Sequence, residues 1–268
     1  LLAKYTELAK FIKPFIGGEE LINGKKRFCL WFADALPSQL KKISQYPEIK
    51  ARIEGVKKIR LASPTASVKE LANEPYVFTQ NRQPTGTFLA IPEVSSERRD
   101  YIPIGFLTPD HVPSNKIYLL PNVGLYEFGV LTSTLHMAWM RMVAGRLESR
   151  YSYSPNVYQL FPWPTIEAKH KAKIEQLAQA VLDARSEAFS KDPKASLATL
   201  YDPDTMPKPL RQAHQHLDKA VDAAYGKTKF NTEAERVAFL FELYQHYTAP
   251  TAPIDPPTKP KTPRKAAK

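Results

Sequence analysis

Apolar residues recur at three- and four-residue spacing most clearly between Gly124 and Gly145. Leu125, Phe128, Leu131, Leu135, Trp139 and Met142 line one face there, and Val130, Met137 and Val143 widen it. This spacing predicts one long amphipathic helix ended by Gly145. His136 sits beside the apolar face and is expected to be packed or hydrogen-bonded rather than a metal ligand. Beyond Gly145 the chain passes through Arg146, Glu148 and Arg150 interleaved with tyrosines. It then enters a short apolar stretch that reads as a strand and stops on Phe161-Pro162-Trp163-Pro164. Charged side chains are thus expected to project from a segment held at both ends.

Upstream, residues 1–16 read as a short helix stopped near Pro14 and Gly17-Gly18. After the Asn23-Gly24 turn, residues 27–32 read as a buried strand. A helix begins at Pro37 with Leu40, Ile43, Ile49, Ile53 and Val56 inward, broken or kinked at Pro47. A short helical piece covers residues 68–73. The pattern then changes to short strands at 76–78, 87–92, 101–106 and 116–120, joined by polar connections. After Pro164 the helical period returns over 165–189, with Ile174, Leu177, Val181 and Leu182 inward. It appears again over 210–225 and 232–247, after a proline-punctuated link at 191–209. The order predicts an α+β chain: a mixed sheet-and-helix domain over residues 1–164, a small helical domain over 165–247, and a disordered basic tail over 248–268.

Composition narrows the partners. The chain has 268 residues, 43% of them hydrophobic, and carries a formal charge of +11. From Thr248 onward five basic residues face one acidic, which leaves +7 on the rest. A polyanion, nucleic acid first, is the expected partner. Between Lys25 and Arg60 ten basic residues face three acidic, clustered as Lys25-Lys26-Arg27, Lys41-Lys42 and Lys57-Lys58-Ile59-Arg60. Such clusters supply phosphate contacts that fix register without reading sequence, or they are simply a solvated face. No apolar run approaches the roughly 18 residues of a membrane span, so no membrane partner is expected. The single cysteine, Cys29, excludes an intrachain disulfide and fits the cytoplasm. The first residue is Leu1 within helix-compatible sequence, so the chain is expected to be a piece of a longer protein.

Catalytic signatures are missing. There is no Gly-rich phosphate loop, no C-x-x-C and no nucleophile elbow. His214 and His216 stand two apart, in different directions on a helix, and no acidic pair is singled out by its spacing. No catalytic or metal residue is expected.

Four stretches carry a resemblance: Lys25-Lys26-Arg27-Phe28-Cys29-Leu30-Trp31; Ser95-Ser96-Glu97-Arg98-Arg99-Asp100-Tyr101-Ile102-Pro103; His136-Met137-Ala138-Trp139 through Gly145-Arg146-Leu147; and Tyr151-Ser152-Tyr153-Ser154 to Phe161-Pro162-Trp163-Pro164. Together they resemble the target-recognition and C-terminal regions of the MmeI-like, type IIL/IIG family of combined DNA methyltransferase–endonucleases. The resemblance covers residues 14–164 well and the helical remainder loosely. The family's Asn-Pro-Pro-Tyr motif, its S-adenosylmethionine-binding glycine motif and its nuclease motif are absent from this chain. The resemblance therefore implies that the parent protein is an adenine-N6 DNA methyltransferase using S-adenosylmethionine, with Mg if it also cleaves. This chain would supply double-stranded DNA recognition beside the methyltransferase domain and need no cofactor itself.

The resemblance also implies which residues read bases. Glu148 and Arg150 act as a pair: arginine can bond guanine O6 and N7, and a carboxylate can accept from the cytosine N4 amino group. Ungapped carry-over adds Glu93, Asn115, Lys116 and Ser152. Arg98 and Arg99 fit phosphate contact or structural pairing, and Arg146 joins Lys25, Lys26, Arg27, Lys57, Lys58 and Arg60 as an expected phosphate contact. The competing readings are an RNA-binding or protein-interaction module using the same basic surface, and an enzyme with an unrecognised site, which would show a deep pocket of clustered titratable groups.

Overall fold

The computed structural model describes residues 1–226 and 230–249. Its opening residues do not make the expected helix. Thr6–Phe11 is a 3-10 turn, and the chain then straightens into β1 (Ile12–Ile16). Pro14 has no N–H to give a helix, and the β-branched isoleucines suit an extended backbone. α1 (Gly18–Asn23) follows, and β2 (Phe28–Leu30) returns antiparallel on β1 with Lys13 opposite Cys29. β2 is not the expected buried strand. Phe28 is exposed, while burial falls to Trp31 and Phe32 just beyond it.

Pro47 separates α2 (Pro37–Ile43) from α3 (Pro47–Leu61) by opening the second helix, where its missing N–H leaves no bond unmade. Ile43 and Ile49 close a small core with Leu8, Phe11 and Phe32, whereas Val56 stays exposed. α4 (Ala66–Glu70) runs into a 3-10 turn at Leu71–Asn73. Residues 76–78 form no strand. Their backbone is gathered onto Arg60, and Phe78 packs against Trp31.

The strand region holds β3 (Phe88–Pro92), β4 (Val94–Ser95), β5 (Gly105–Leu107), β6 (Val112–Pro113) and β7 (Ile117–Pro121). β3 lies between β5 and β7, antiparallel to both, and every one of its residues is buried. Alternate side chains leave a strand on opposite faces. Leu89 and Ile91 accordingly enter the main core, while Phe88 and Ala90 meet Ile117 in a smaller one. β6 pairs with β1 in parallel, tying the N-terminal elements to this region.

The long stripe after Gly124 is two helices, α5 (Leu125–Leu131) and α6 (Thr134–Val143). Ser133 breaks it by capping α6: its Oγ donates to the Val130 carbonyl and accepts from the His136 N–H. Gly145 does not end the helix either. Ala144 is already extended, and Gly145 opens β8 (Gly145–Leu147), which pairs with β9 (Arg150–Ser152). The expected apolar strand is instead the short helix α7 (Pro155–Gln159), begun by Pro155 at its first position. Trp139 is central to the packing: its Nε1 donates to the Val157 carbonyl at 3.0 Å, and its ring meets Phe161, Phe241 and Tyr244.

The helical remainder comprises α8 (Ala168–Lys191), α9 (Leu197–Leu200) within the expected link, α10 (Lys208–Ala224) and α11 (Glu233–Thr248). Ile174 and Val181 are buried as expected, and α8 crosses α5 where Gly129 leaves no room for a side chain. The main core runs without interruption from Leu89 and Trp139 to Val181, Leu217 and Leu240. Thr248, expected in the tail, completes α11, and residues 250–268 lie outside the described residues. No helix among the described residues is long and apolar enough to cross a membrane.

Candidate nucleic-acid interface

The β8–β9 hairpin is joined by two residues, Glu148 and Ser149, with Leu147 opposite Arg150. Glu148 has φ of 58°, left-handed backbone that a side chain rarely adopts, while Ser149 does not. Positive φ within a two-residue loop is a mark of the hairpin turns, whose twist suits the flanking strands. The Glu148 carboxylate accepts from Arg150 Nη2 at 2.7 Å, and both side chains are well exposed. Strand alternation puts Arg150 and Ser152 on one face of the hairpin and Arg146 and Tyr151 on the other. Tyr151 is buried and Arg150 exposed, so the two faces have different jobs.

Glu93 draws the other expected positions together. Its N–H donates to the Lys116 carbonyl at 3.1 Å, and its carbonyl accepts from the Tyr153 N–H at 2.7 Å. Its half-buried carboxylate faces Lys116 Nζ at 2.8 Å, and that carboxylate raises the lysine pKa above its ordinary value. Ser152 pairs with Val94 one residue away. Glu93, Asn115, Lys116 and Ser152, spread over 59 residues of sequence, therefore share one edge, and the hairpin with Glu148 and Arg150 continues it. Below the edge, His136 is fully buried against Tyr153 Oη at 3.0 Å, and burial pulls its pKa down to about 3. It is a neutral packed histidine, as expected from its place beside the stripe.

The basic residues divide. The Ser114 N–H donates to the Ile16 carbonyl, and a Cβ on Gly17 would lie within about 3 Å of Ser114 Oγ and Arg27 Nη2, so the Lys25-Lys26-Arg27 cluster borders the Asn115-Lys116 loop. Lys25 pairs with Glu19, Arg27 pairs with Glu20 at 2.9 Å and lies over the Phe15 ring, and Lys26 is exposed. Lys57 and Lys58 are exposed on α3, which packs on α4 and the Leu71–Asn73 turn. Arg60 departs from its expected place on the surface. It is buried, and its guanidinium donates to the carbonyls of Leu71, Glu74 and Val77 at 2.6–2.9 Å, which makes it a structural clasp. A run of basic residues on a helix does not reveal which one turns inward.

Residues 1–165 match the family model described as MmeI, target recognition domain, and residues 166–252 match MmeI, C-terminal domain. The chain belongs to the MmeI family. The DNA methyltransferase A of Bacillus subtilis (strain 168) is 39% identical over 246 residues, covering 91% of this chain and 27% of that protein. A solved structure of the type IIL restriction-modification enzyme MmeI in complex with DNA superposes with a TM-score of 0.86 at 45% identity, over 92% of this chain and 32% of that one. The chain thus spans about a third or less of the relatives it matches.

In this MmeI-family chain, Arg98 is exposed and Arg99 partly buried, and both have partners within the chain. Arg98 pairs with Asp204 and Asp202, residues of the link before α10. Arg99 is largely withdrawn from water, which lowers its pKa, and its Nη1 reaches Ser95 Oγ at 3.3 Å. Of the two roles expected for them, structural pairing is the one their contacts display. A pocket of about 530 Å3 lined by Ile12, Phe28, Leu30, Val56 and Phe78 has no carboxylate or histidine in its wall. Its thiol, Cys29, is pushed up to about 11 by burial, so it is a poor nucleophile at neutral pH. Sequence reasoning overlooked Ser149 and Tyr151 as partners of Arg146. Period-two alternation alone sets Arg146 with Arg150 and against Tyr151; the two-residue turn at Glu148-Ser149 reverses that grouping.

Proposed function

We propose that this chain is the specificity region of an S-adenosylmethionine-dependent adenine-N6 DNA methyltransferase, residues 1–164 reading double-stranded DNA and residues 165–247 forming a helical domain packed behind them. One observation carries the reading: Glu93 bonds two segments distant in sequence, at Lys116 and Tyr153, so that Lys116, Ser152 and the Glu148–Arg150 hairpin lie along one polar edge. Arg150 would bond guanine O6 and N7, and Glu148 would accept from the N4 amino group of the paired cytosine, each contact contributing about 1–3 kcal/mol of discrimination. Asn115 suits adenine N6 and N7, and Lys116 can donate to guanine once Glu93 releases it. Lys25, Lys26 and Arg27 beside this edge, together with Lys57 and Lys58, would contact phosphates.

The glycine motif that would hold the methyl donor is missing from this chain, and the pocket lined by Phe28 and Phe78 offers no carboxylate for a ribose. Methyl transfer therefore belongs to a methyltransferase domain elsewhere in the intact protein, acting in the cytoplasm. Any cleavage, with its Mg, likewise belongs outside residues 1–268. The test is sequencing of the methylated sites in a host that expresses the intact protein carrying Glu148→Lys with Arg150→Asp. Exchange of one C·G pair in the target for another is expected. An unaltered target would sink the reading.

A further inference from the structure

Two residues before the readout pair stands Arg146, on the hairpin face opposite to Arg150. Arg146 and Tyr151 are directly opposite across the hairpin, on the face that Arg150 and Ser152 do not share. The Arg146 guanidinium lies 3.9 Å from the Tyr151 ring centre, and its Nη1 donates to the Ser149 carbonyl at 2.8 Å. One planar group thus joins the buried tyrosine of β9 to the second residue of the turn. The turn it reaches is the one where Glu148 holds positive φ.

From this geometry we infer that Arg146 is a positioning residue for base readout, a clamp that fixes the Glu148–Ser149 turn so that Glu148 and Arg150 present one rigid donor–acceptor pair. The inference rests on the reading of that pair as a DNA contact. Three features favour a clamp over the phosphate contact expected from its charge. Arg146 stacks on a buried ring, it is committed to a backbone carbonyl, and it occupies the opposite hairpin face from Arg150. Stacking and a directed bond need a flat, forked group, which arginine has and lysine lacks. A phosphate contact needs only the positive charge and leaves its trace in the salt dependence of binding.

The experiment uses the intact protein with Arg146→Lys and Arg146→Gln, alongside the Glu148→Lys, Arg150→Asp double variant. Methylation rates are compared on the target duplex and on duplexes altered one base pair at a time, and binding is followed against salt. The double variant identifies the base pair that the hairpin reads. A clamp predicts that both Arg146 variants lose discrimination at that pair by roughly tenfold or more, about the value of one base contact. Discrimination at the other positions should be kept, and the salt slope of Arg146→Lys should be unchanged. If Arg146→Lys retains full discrimination while Arg146→Gln weakens binding to all sequences alike, Arg146 is a phosphate contact and the clamp is wrong. If the double variant redirects no base pair, the hairpin reading fails and the clamp fails with it. If the double variant redirects the target and Arg146→Lys changes nothing, the clamp alone fails.

Discussion

At Glu148 two demands compete within one residue. The left-handed backbone costs a side-chain-bearing residue about 1 kcal/mol or more, while its exposed ion pair with Arg150 returns about 0–1 kcal/mol. Glu148 is thus a poor choice for folding and a good one for presenting a carboxylate. Glu148→Gly should raise the thermal midpoint of this chain slightly, while the intact protein loses selectivity at the base pair concerned. Calorimetric melting and methylation of altered duplexes check the two halves separately. Residues of this kind were legible only in part. Charge and spacing placed Glu148 and Arg150 on an exposed segment, and the resemblance supplied their pairing. Neither could show that Arg60, one of three basic residues in Lys57-Lys58-Ile59-Arg60, clasps three carbonyls, because burial of a guanidinium is decided by what the following turn offers it.

Elements with a strong period were the most legible. α8, α10 and α11 lie close to their expected bounds, because a stripe of apolar residues must be buried and can be buried in few ways. Several misreadings combine a local signal with a partner distant in sequence. β1 is extended because β2 and β6 flank it, and the stripe after Gly124 breaks at Thr132-Ser133 because α6 needs its own start under α10. Gly129 shows how tight the result is: an added Cβ would lie 2.7 Å from Ile174 Cγ2 and 3.2 Å from Ala178. Gly129→Ala should therefore cost about 1–3 kcal/mol through overpacking, outweighing the gain in helix propensity. Chemical denaturation of this chain measures it. A variant as stable as the wild type would mean that α5 and α8 can separate freely.

Across the whole molecule, buried polar groups join the helical remainder to the strand region. Asp218 of α10 accepts from Tyr101 Oη at 2.9 Å and from the Thr134 N–H at 2.8 Å, and burial raises its pKa to about 6. The folded state therefore holds the Asp218 proton more tightly than the unfolded state does. Its contribution to stability is fully present below the ordinary aspartate range and is lost as pH rises through about 6. Asp218→Asn, which cannot ionise, should gain in relative stability as pH goes from 4 to 7, and the difference between the two melting curves reports it. None of this was visible in the sequence, where Tyr101, Thr134 and Asp218 are unremarkable and 117 residues separate the first from the last. Glu93 has an equally long reach with a different outcome. Its main chain bridges β7 and β9 while its side chain holds Lys116, so positions 93 and 116 are coupled and the hairpin tip is not. Specificity at the tip can drift by local exchange of two neighbouring residues. Positions 93 and 116 must instead change together, and a double-mutant cycle on target choice should be non-additive there and additive between the edge and the tip. The recognition surface is built of parts with unequal freedom to evolve.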